Sequence, residues 1–460
     1  VNDALKVLRA ALAGTEYEGR VFLVGGFVRD KLLGKPADAA DIDLVLEGDA
    51  PALAEFLWER RAASHPPVTF PSFGTAMIHV GDSQVELVTA RAETYRSGSR
   101  KPVVTPGTIL TDARRRDFTV NTFLENLHTG EIVDPLGVGR ADLDARILRT
   151  PLDPDITFTD DPLRMLRACR FAAKLGFTLA PETESALVKN AFRLTAEHGI
   201  SFERIRDELS KTLLAPGAAD GLERMRVAGL LEKFAPELAE MHGVGQNAWH
   251  AHDVWTHTQE ALRNLSPEAD LCVRLATLFH DVGKPATRTV DERGEVHFYE
   301  HEVVGAARTQ EVLKRLRYSE SEVKRVVALV SLHMRYGAYQ PGVWTDAAVR
   351  RLVRAVGEHR RDLFVLARAD IAACGVPGIP TADLSGLSAR MEALEAAHGI
   401  VAATSPLSGE ELMARLHLRP GPILGRLKSV LTDAVVAGEL AADDKAGAEA
   451  LARQTLDSDA

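Results

Sequence analysis

FLVGGFVRDKLLGKPADAADIDLVLEGD, residues Phe22 to Asp49, sets the first constraint on the fold. A short apolar run ends in two glycines, and after a polar stretch a second run opens with Asp-Ile-Asp. Short β-branched runs bounded by Gly, Pro and Asp read as strands. Alternate strand residues share a face, so Asp41 and Asp43 project together while Ile42 and Leu44 turn to the core. Two carboxylates so close repel unless a proton or a cation lies between them. Mg²⁺ takes oxygen ligands and commonly joins carboxylates to phosphates. The Gly25-Gly26 turn lets backbone N–H groups approach a phosphate, and Arg29 on the next helical turn is placed to clamp it. Taken alone, an Asp-x-Asp commonly decorates a strand end, so the weight falls on the surrounding sequence.

Outward from this stretch, residues 1–150 alternate strands (RVFLVGG, DIDLVLEG, TAMIHVG, QVELVTA) with helices such as PALAEFLWERRAAS. Beyond ILRTP strands nearly vanish, and from Asp160 the apolar spacing is helical. The pattern predicts an α+β protein: a mixed-sheet head over 1–150, a helical neck and body over 151–242, a second helical domain over 243–378 and a helical tail over 379–460. A length of 460 residues with 45% apolar and 26% charged side chains suits a globular protein of two or more domains. A net charge of −10 excludes a purely electrostatic nucleic-acid coat but leaves room for a local basic groove. No apolar run is long enough to span a bilayer, and VNDALKVLRAALAG reads as an amphipathic helix rather than a signal peptide. Three scattered cysteines, Cys169, Cys272 and Cys374, lack metal-ligand spacing and fit a reducing, cytoplasmic setting.

Two further motifs follow in order, RRRDFTVNTF at Arg114–Phe123 and DDPLRMLRACRF at Asp160–Phe171. With GGFVRD…DIDLVL they make the stretch from Phe22 to Leu214 resemble the polymerase β-type nucleotidyltransferases, in the bacterial class II branch that contains tRNA CCA-adding enzymes and bacterial poly(A) polymerases. The resemblance implies that Asp41 and Asp43 hold two catalytic Mg²⁺ ions, with Glu86 as a third acidic group. It implies that Gly25, Gly26 and Arg29 receive the triphosphate, and that Arg115, Arg116, Asp117 and Asn121 contact the nucleotide's ribose and phosphates. Partners implied are CTP, ATP and the tRNA 3′ end, with no membrane.

DDPLRMLRACRF reads as a helix with Asp161 as N-cap and Pro162 at its first position. Asp160 or Asp161 then shares a face with Arg164. A carboxylate only accepts and a guanidinium only donates. Cytosine and adenine each offer an amine donor beside a ring-nitrogen acceptor, whereas guanine and uracil present the reverse. An Asp161/Arg164 pair therefore selects C and A. Relatives usually carry Glu-Asp where this chain has Asp160-Asp161, one methylene shorter. Arg167 and Arg170 extend a basic stripe expected to follow RNA or face solvent. The interval TARAETYRSGSRKPVVTPGTILTDA matches the flexible loop that CC-adding relatives lack, with Glu93, Arg96, Arg100 and Lys101 as its working polar groups. This favours an enzyme able to add the terminal A. The acidic tail, with AADDKAGAEA, argues against poly(A) synthesis.

The second half carries DVWTHTQEAL, RLATLFHDVGKPAT, HFYEHEVVGAA, LVSLHMRY and LARADIAACG. LFHDVGKP resembles the HD-domain metal-dependent phosphohydrolases, which implies a divalent metal on His257, His280, Asp281 and Asp370. His301 and His333 are candidates for a second metal position or a phosphate contact, and Lys284 for a phosphate oxygen. His242, His250 and His252, in the connector MHGVGQNAWHAHD, read as loop residues. The leading reading is a template-independent nucleotidyltransferase that builds the CCA end or its terminal A. The alternatives are an HD phosphohydrolase with a nucleotide-sensing head, or a CC-adding or poly(A)-adding relative.

Overall fold

The four apolar runs all become strands of one seven-stranded mixed sheet. In chain order the strands are β1 (Val21–Val24), β2 (Asp41–Leu46), β3 (Val68–Phe70), β4 (Thr75–Val80), β5 (Ser83–Thr89), β6 (Arg91–Thr94), β7 (Val103–Pro106), β8 (Leu124–Asn126) and β9 (Ile132–Val133). The sheet runs β3-β4-β5-β2-β1-β8-β9, with β2 parallel to β5 and every other pairing antiparallel. This computed structural model describes residues 2–35, 41–94, 103–337, 339–376, 382–398 and 404–457. By contacts the chain divides into two units, Val1–Phe234 and Ala235–Ala460.

In the first unit β2 is central and Ile42, Leu44, Val45 and Leu46 are buried, so the strand reads as a continuous apolar run once Asp43 is passed. The helix Ala50–Glu59 follows at once, its N-cap Asp49 accepting from Ala52 N at 3.1 Å. Leu53, Ala54 and Leu57 bury its inner stripe. After the sheet come helices Pro154–Asp160, Leu163–Leu175, Pro181–Asn190, Phe202–Leu213 and Ala218–Val227. Leu163–Leu175 packs on the last two and buries Leu166, Cys169 and Ala173.

Three local expectations are corrected. The helix expected to start at Asp161-Pro162 starts at Leu163, with Pro162 as N-cap. Asp160 ends the preceding helix, and Asp161 is extended, with its carboxylate accepting from Leu163 N at 3.1 Å. Neither aspartate lies on one helix face with Arg164, because Pro162 lacks the N–H that would join the two helices into one. Within the interval read as a loop, β6 and β7 pair antiparallel, from Arg91↔Pro106 to Thr94↔Val103. Glu93 is on β6, while Arg96, Arg100 and Lys101 lie outside the described residues.

The second unit gathers helices Val254–Arg263, Leu271–Phe279, His301–Arg315, Glu320–Leu332 and Arg360–Ala373 around Leu275, Leu278, Phe279, Val326 and Leu366. A hairpin the sequence did not announce, Arg288–Val290 with Val296–Phe298, interrupts them. Farther on, Leu407, Leu412, Leu427 and Leu431 form a separate cluster among the tail helices. No helix among the described residues is long and apolar enough to cross a membrane.

Candidate active site and metal centre

In the first unit the register sets Asp43 directly beside Glu86 on the parallel strand β5, and Asp41 beside Gln84. Paired residues point to the same face, so Asp43 and Glu86 are neighbours on it. The side chain of Asp41 lies outside the described residues. The strand β1 ends at Val24 and is followed by Gly25, whose φ of 80° and ψ of −140° suit only glycine. A Cβ there would sit 3.6 Å from Asp43 Oδ2, so the turn lies against the carboxylate.

Arg29, on the helical turn after Gly25, is 1% exposed. Its guanidinium donates from Nε to Asp30 Oδ1 at 2.8 Å and from Nη1 to Asn121 Oδ1 at 2.6 Å. Asn121 Nδ2 donates in turn to Asp117 Oδ1 at 2.9 Å, and Arg167 donates to Asp117 Oδ2 at 2.9 and 2.5 Å. Arg170 Nε completes the chain on Glu208 Oε2 at 2.6 Å. Burial alone would raise the Asp117 carboxyl, but Arg167 and the Asn121 hydrogen bond outweigh it and hold it at about 2. Arg29, Arg167 and Arg170 also surround the Phe171 ring at 5.3, 5.3 and 4.2 Å. Arg167 and Arg170 are therefore inward groups lining the site rather than a solvent-facing stripe, because buried Asp117 and Glu208 require cationic partners.

A cleft of about 380 Å³ is lined by Gly25, Gly26, Arg29, Asp43, Arg116, Asp117, Asn121, Arg167 and Arg170, joined by Phe171 and Lys174. Arg115 and Arg116 share Asp112, at 3.0 Å from each Nε. Arg164 Nη2 donates to Arg115 O at 2.5 Å, and Arg204 holds Asp161 Oδ2 at 2.8 Å. Arg115, Asp160, Asp161, Arg164 and Glu86 do not line the cleft, and Asp161 and Arg164 each meet a different partner. Oxygen donors on adjacent strands, beside a glycine turn and a buried guanidinium, match what Mg²⁺ and a phosphate chain require.

In the second unit, four histidines and two aspartates converge. His257 Nε2 lies 2.9 Å from Asp370 Oδ1 and 3.3 Å from His280 Nε2, and His280 Nε2 lies 3.2 Å from Asp281 Oδ2. On the other side of Asp281, His301 and His333 approach Oδ1 at 3.5 and 3.8 Å and each other at 3.3 Å. His280, His301 and His333 each set Nδ1 on a backbone carbonyl, of Thr277, Phe298 and Val330, at 2.7–2.8 Å. A carbonyl only accepts, so Nδ1 carries a proton and Nε2 is the atom that could ligate, the arrangement that orients metal-binding imidazoles. His257-His280-Asp281 and Asp281-His301-His333 are each close enough to hold an ion, with Asp281 common to both. Burial would lower the His280 imidazole, but Asp281 and Asp370 outweigh it and raise it to about 10. The site thus draws in a positive charge. Lys284 Nζ lies 2.7 Å from Asp281 Oδ2.

The chain matches the Poly A polymerase head domain over residues 21–149, the "Probable RNA and SrmB- binding site of polymerase A" over 176–241 and the HD domain over 224–370. It is 40% identical over 352 residues to an A-adding tRNA nucleotidyltransferase of Deinococcus radiodurans, covering 75% of this chain and 79% of that one. It is 34% identical over 433 residues to a CC-adding tRNA nucleotidyltransferase of Thermus thermophilus, covering 93% and 92%. The chain belongs to the tRNA nucleotidyltransferase family. The fold agrees: the CCA-adding enzyme of Bacillus stearothermophilus, crystallised with CTP, superposes with a TM-score of 0.70 at 23% identity over 100% of this chain and 99% of that one.

Several residues of this nucleotidyltransferase escaped the reading of its sequence. Phe171 and Lys174 line the cleft, and their i+4 spacing from Arg167 and Arg170 respectively was a usable signal. His250, taken for a loop residue, is on a loop but stands edge-to-face with His257 at 5.0 Å and lines the second unit's cavity. Burial pushes its imidazole down to about 3, so it is neutral. No local pattern marked it, because its neighbours come from distant helices.

Proposed function

We propose that the first unit adds nucleotides to the tRNA 3′ end from CTP and ATP, completing or repairing CCA or its terminal A. The observation that carries this reading is the cleft that joins Asp43, the Gly25 turn and buried Arg29. Mg²⁺ on Asp41 and Asp43, with Glu86 alongside, would favour loss of the primer hydroxyl proton and offset charge on the departing pyrophosphate. Gly25, Gly26 and Arg29 receive the triphosphate. Asn121 and Asp117 orient Arg29, while Arg116 faces the ribose and phosphates.

Arg164 and Asp161 read the base. Arg164, now on Arg115 O, donates to a ring nitrogen, and Asp161, now on Arg204, accepts from an exocyclic amine. In the proposed division the head spans 1–150, the neck and body 151–242, the HD domain 243–378 and the RNA-gripping tail 379–460. The protein acts in the cytoplasm, where Cys169, Cys272 and Cys374 stay reduced.

The second unit is read as a divalent-metal phosphohydrolase acting on RNA ends or nucleotides, because six ligand-type side chains converge with Lys284 beside them. Water adds at phosphorus, the P–O bond to ribose breaks, and the ribose oxygen leaves with a proton. The metal would lower the water's pKa, while Lys284 meets a phosphate oxygen.

The test of the leading reading is Asp43→Asn. Removing one metal-binding carboxylate is expected to lower incorporation on the order of 10³-fold. Gel-shift affinity for tRNA stays within twofold. Incorporation at the wild-type rate would overturn the assignment.

A further inference from the structure

Of the four imidazoles at the second unit's centre, His257 is held differently from the rest. His280, His301 and His333 each set Nδ1 on a backbone carbonyl. His257 is 0% exposed, yet its Nδ1 has no hydrogen-bond partner among the described residues. Its Nε2 lies 2.9 Å from Asp370 Oδ1. A carboxylate only accepts, so in this ring it is Nε2 that carries a proton. A buried N–H with no acceptor is costly, so Nδ1 is the bare nitrogen, with a lone pair that meets no donor.

Two further ligand-type side chains stand beside it. One ligand atom each from His250, His257 and Cys374 lies within 4.8 Å of the other two. His250 Nδ1 donates to Asn247 Oδ1 at 3.0 Å, and the same oxygen accepts from Trp249 N at 3.3 Å, which marks it as the carbonyl end of the amide. The lone pair of His250 is therefore on Nε2. Cys374 follows Asp370 by one helical turn, with Sγ 3.6 Å from Asp370 O, and its own carbonyl accepts from Ala251 N at 2.9 Å. That bond staples the loop carrying His250 to the helix end carrying Cys374. Both side chains line a cavity of about 680 Å³, which gives an ion a way in. Neither residue is in the ligand set that LFHDVGKP implied, and the wide spacing of the cysteines gave no sign of it.

We propose that His250, Nδ1 of His257 and Cys374 form a site for a thiophilic cation such as Cu⁺ or Cd²⁺, distinct from the Asp281 centre and antagonistic to it. Thiolate with imidazole favours softer cations than the carboxylate-bearing centre does. The sulfur–cation bond forms as the thiol proton passes to solvent. The antagonism comes from His257. A neutral imidazole has one lone pair, so a cation on Nδ1 keeps the proton on Nε2, against Asp370, and withholds Nε2 from the Asp281 centre. The antagonism, but not the site, rests on the metal reading of that centre.

Cd²⁺ titration of the full chain, followed by the thiolate-to-Cd²⁺ ultraviolet band, tests the site. The band should saturate at about one ion per chain and vanish in Cys374→Ser, since neither Cys169 nor Cys272 belongs to such a cluster among the described residues. His250→Ala should need on the order of tenfold more Cd²⁺. Antagonism is read from Mn²⁺ affinity, by the paramagnetic resonance of the free ion. An equimolar amount of Cd²⁺ should weaken Mn²⁺ on the order of tenfold in the wild type and leave it within about twofold in Cys374→Ser. Absence of the band in the wild type, or a band undiminished in both variants, would overturn the site. Equal displacement of Mn²⁺ in the wild type and Cys374→Ser would mean direct competition at the Asp281 centre and overturn the antagonism. A band without any Mn²⁺ binding would remove the metal reading of the Asp281 centre and leave the thiol site standing.

Discussion

Asp117 concentrates the electrostatics of the first unit in one carboxylate. It is 7% exposed, accepts from Asn121 and Arg167, and through Asn121 holds the guanidinium of Arg29 over the cleft. Its pKa falls from 3.8 to about 2, so its contribution to stability is complete above pH 4 and disappears as the pH drops through about 2. At 1.36 kcal/mol per unit this amounts to about 2 kcal/mol. Asp117→Asn is expected to lose roughly that much at pH 7, with the gap from wild type closing between pH 4 and pH 2 in urea titrations. A gap independent of pH would show that the charge is not what matters. The acidic and basic character of RRRD was legible in the sequence, but its partners were not. Arg167 and Arg170 looked like a surface stripe because helical spacing identifies a face without saying what covers it; here the cover is Asp117 and Glu208, brought from 50 and 38 residues away.

Among the elements, the segment HDVGKP explains why a short motif could be read so far. Cys272–Phe279 is buried and mostly apolar, so the His280-Asp281 that follows it is interior only because each is paired or hydrogen-bonded, Asp281 to His280 and Lys284. Gly283 has a steric reason to be glycine: a Cβ would lie 2.1 Å from His301 O and 2.7 Å from Gly305 N, both backbone. The absence of a side chain lets the turn carrying Asp281 and Lys284 lie on the helix carrying His301. Gly283→Ala is expected to part them, costing about 3 kcal/mol in stability. Metal affinity should fall at least tenfold in calorimetric titration. Wild-type affinity in that variant would mean that the close approach is not required. The strands β1, β2, β4 and β5 were readable because each is apolar and bounded by turn residues. The pairs β6–β7 and Arg288–Val290 with Val296–Phe298 were not. They are short ribbons of mixed polarity, held by backbone pairing that leaves no period in the sequence.

Across the whole molecule, two centres with different donor sets stand in separate units. The first offers carboxylate oxygens, the second imidazoles with carboxylates, and this difference predicts different responses to metal. Asp281 and Asp370 raise His280 to about 10, so at neutral pH its imidazole would give up a proton to an ion binding there. Binding of Zn²⁺ or Mn²⁺ should therefore release about one proton, seen as a dependence of the calorimetric heat on buffer ionisation enthalpy, and affinity should rise with pH. Heat independent of the buffer would contradict this. The order of head, helical region and HD domain was legible from the order of motifs. Which nucleotide the head adds was not, since in the proposed reading it depends on Arg164 and Asp161, whose partners Arg115 and Arg204 come from distant stretches of sequence. The most direct measurement is single-nucleotide extension of tRNAs ending at the discriminator base, after C and after CC, with each of the four nucleoside triphosphates offered alone. The account predicts that ATP extends the CC-ended tRNA, that CTP is the only other nucleotide accepted on the shorter ends, and that GTP and UTP are refused throughout. Extension from GTP or UTP at comparable rates, or no extension of any of the three, would contradict it.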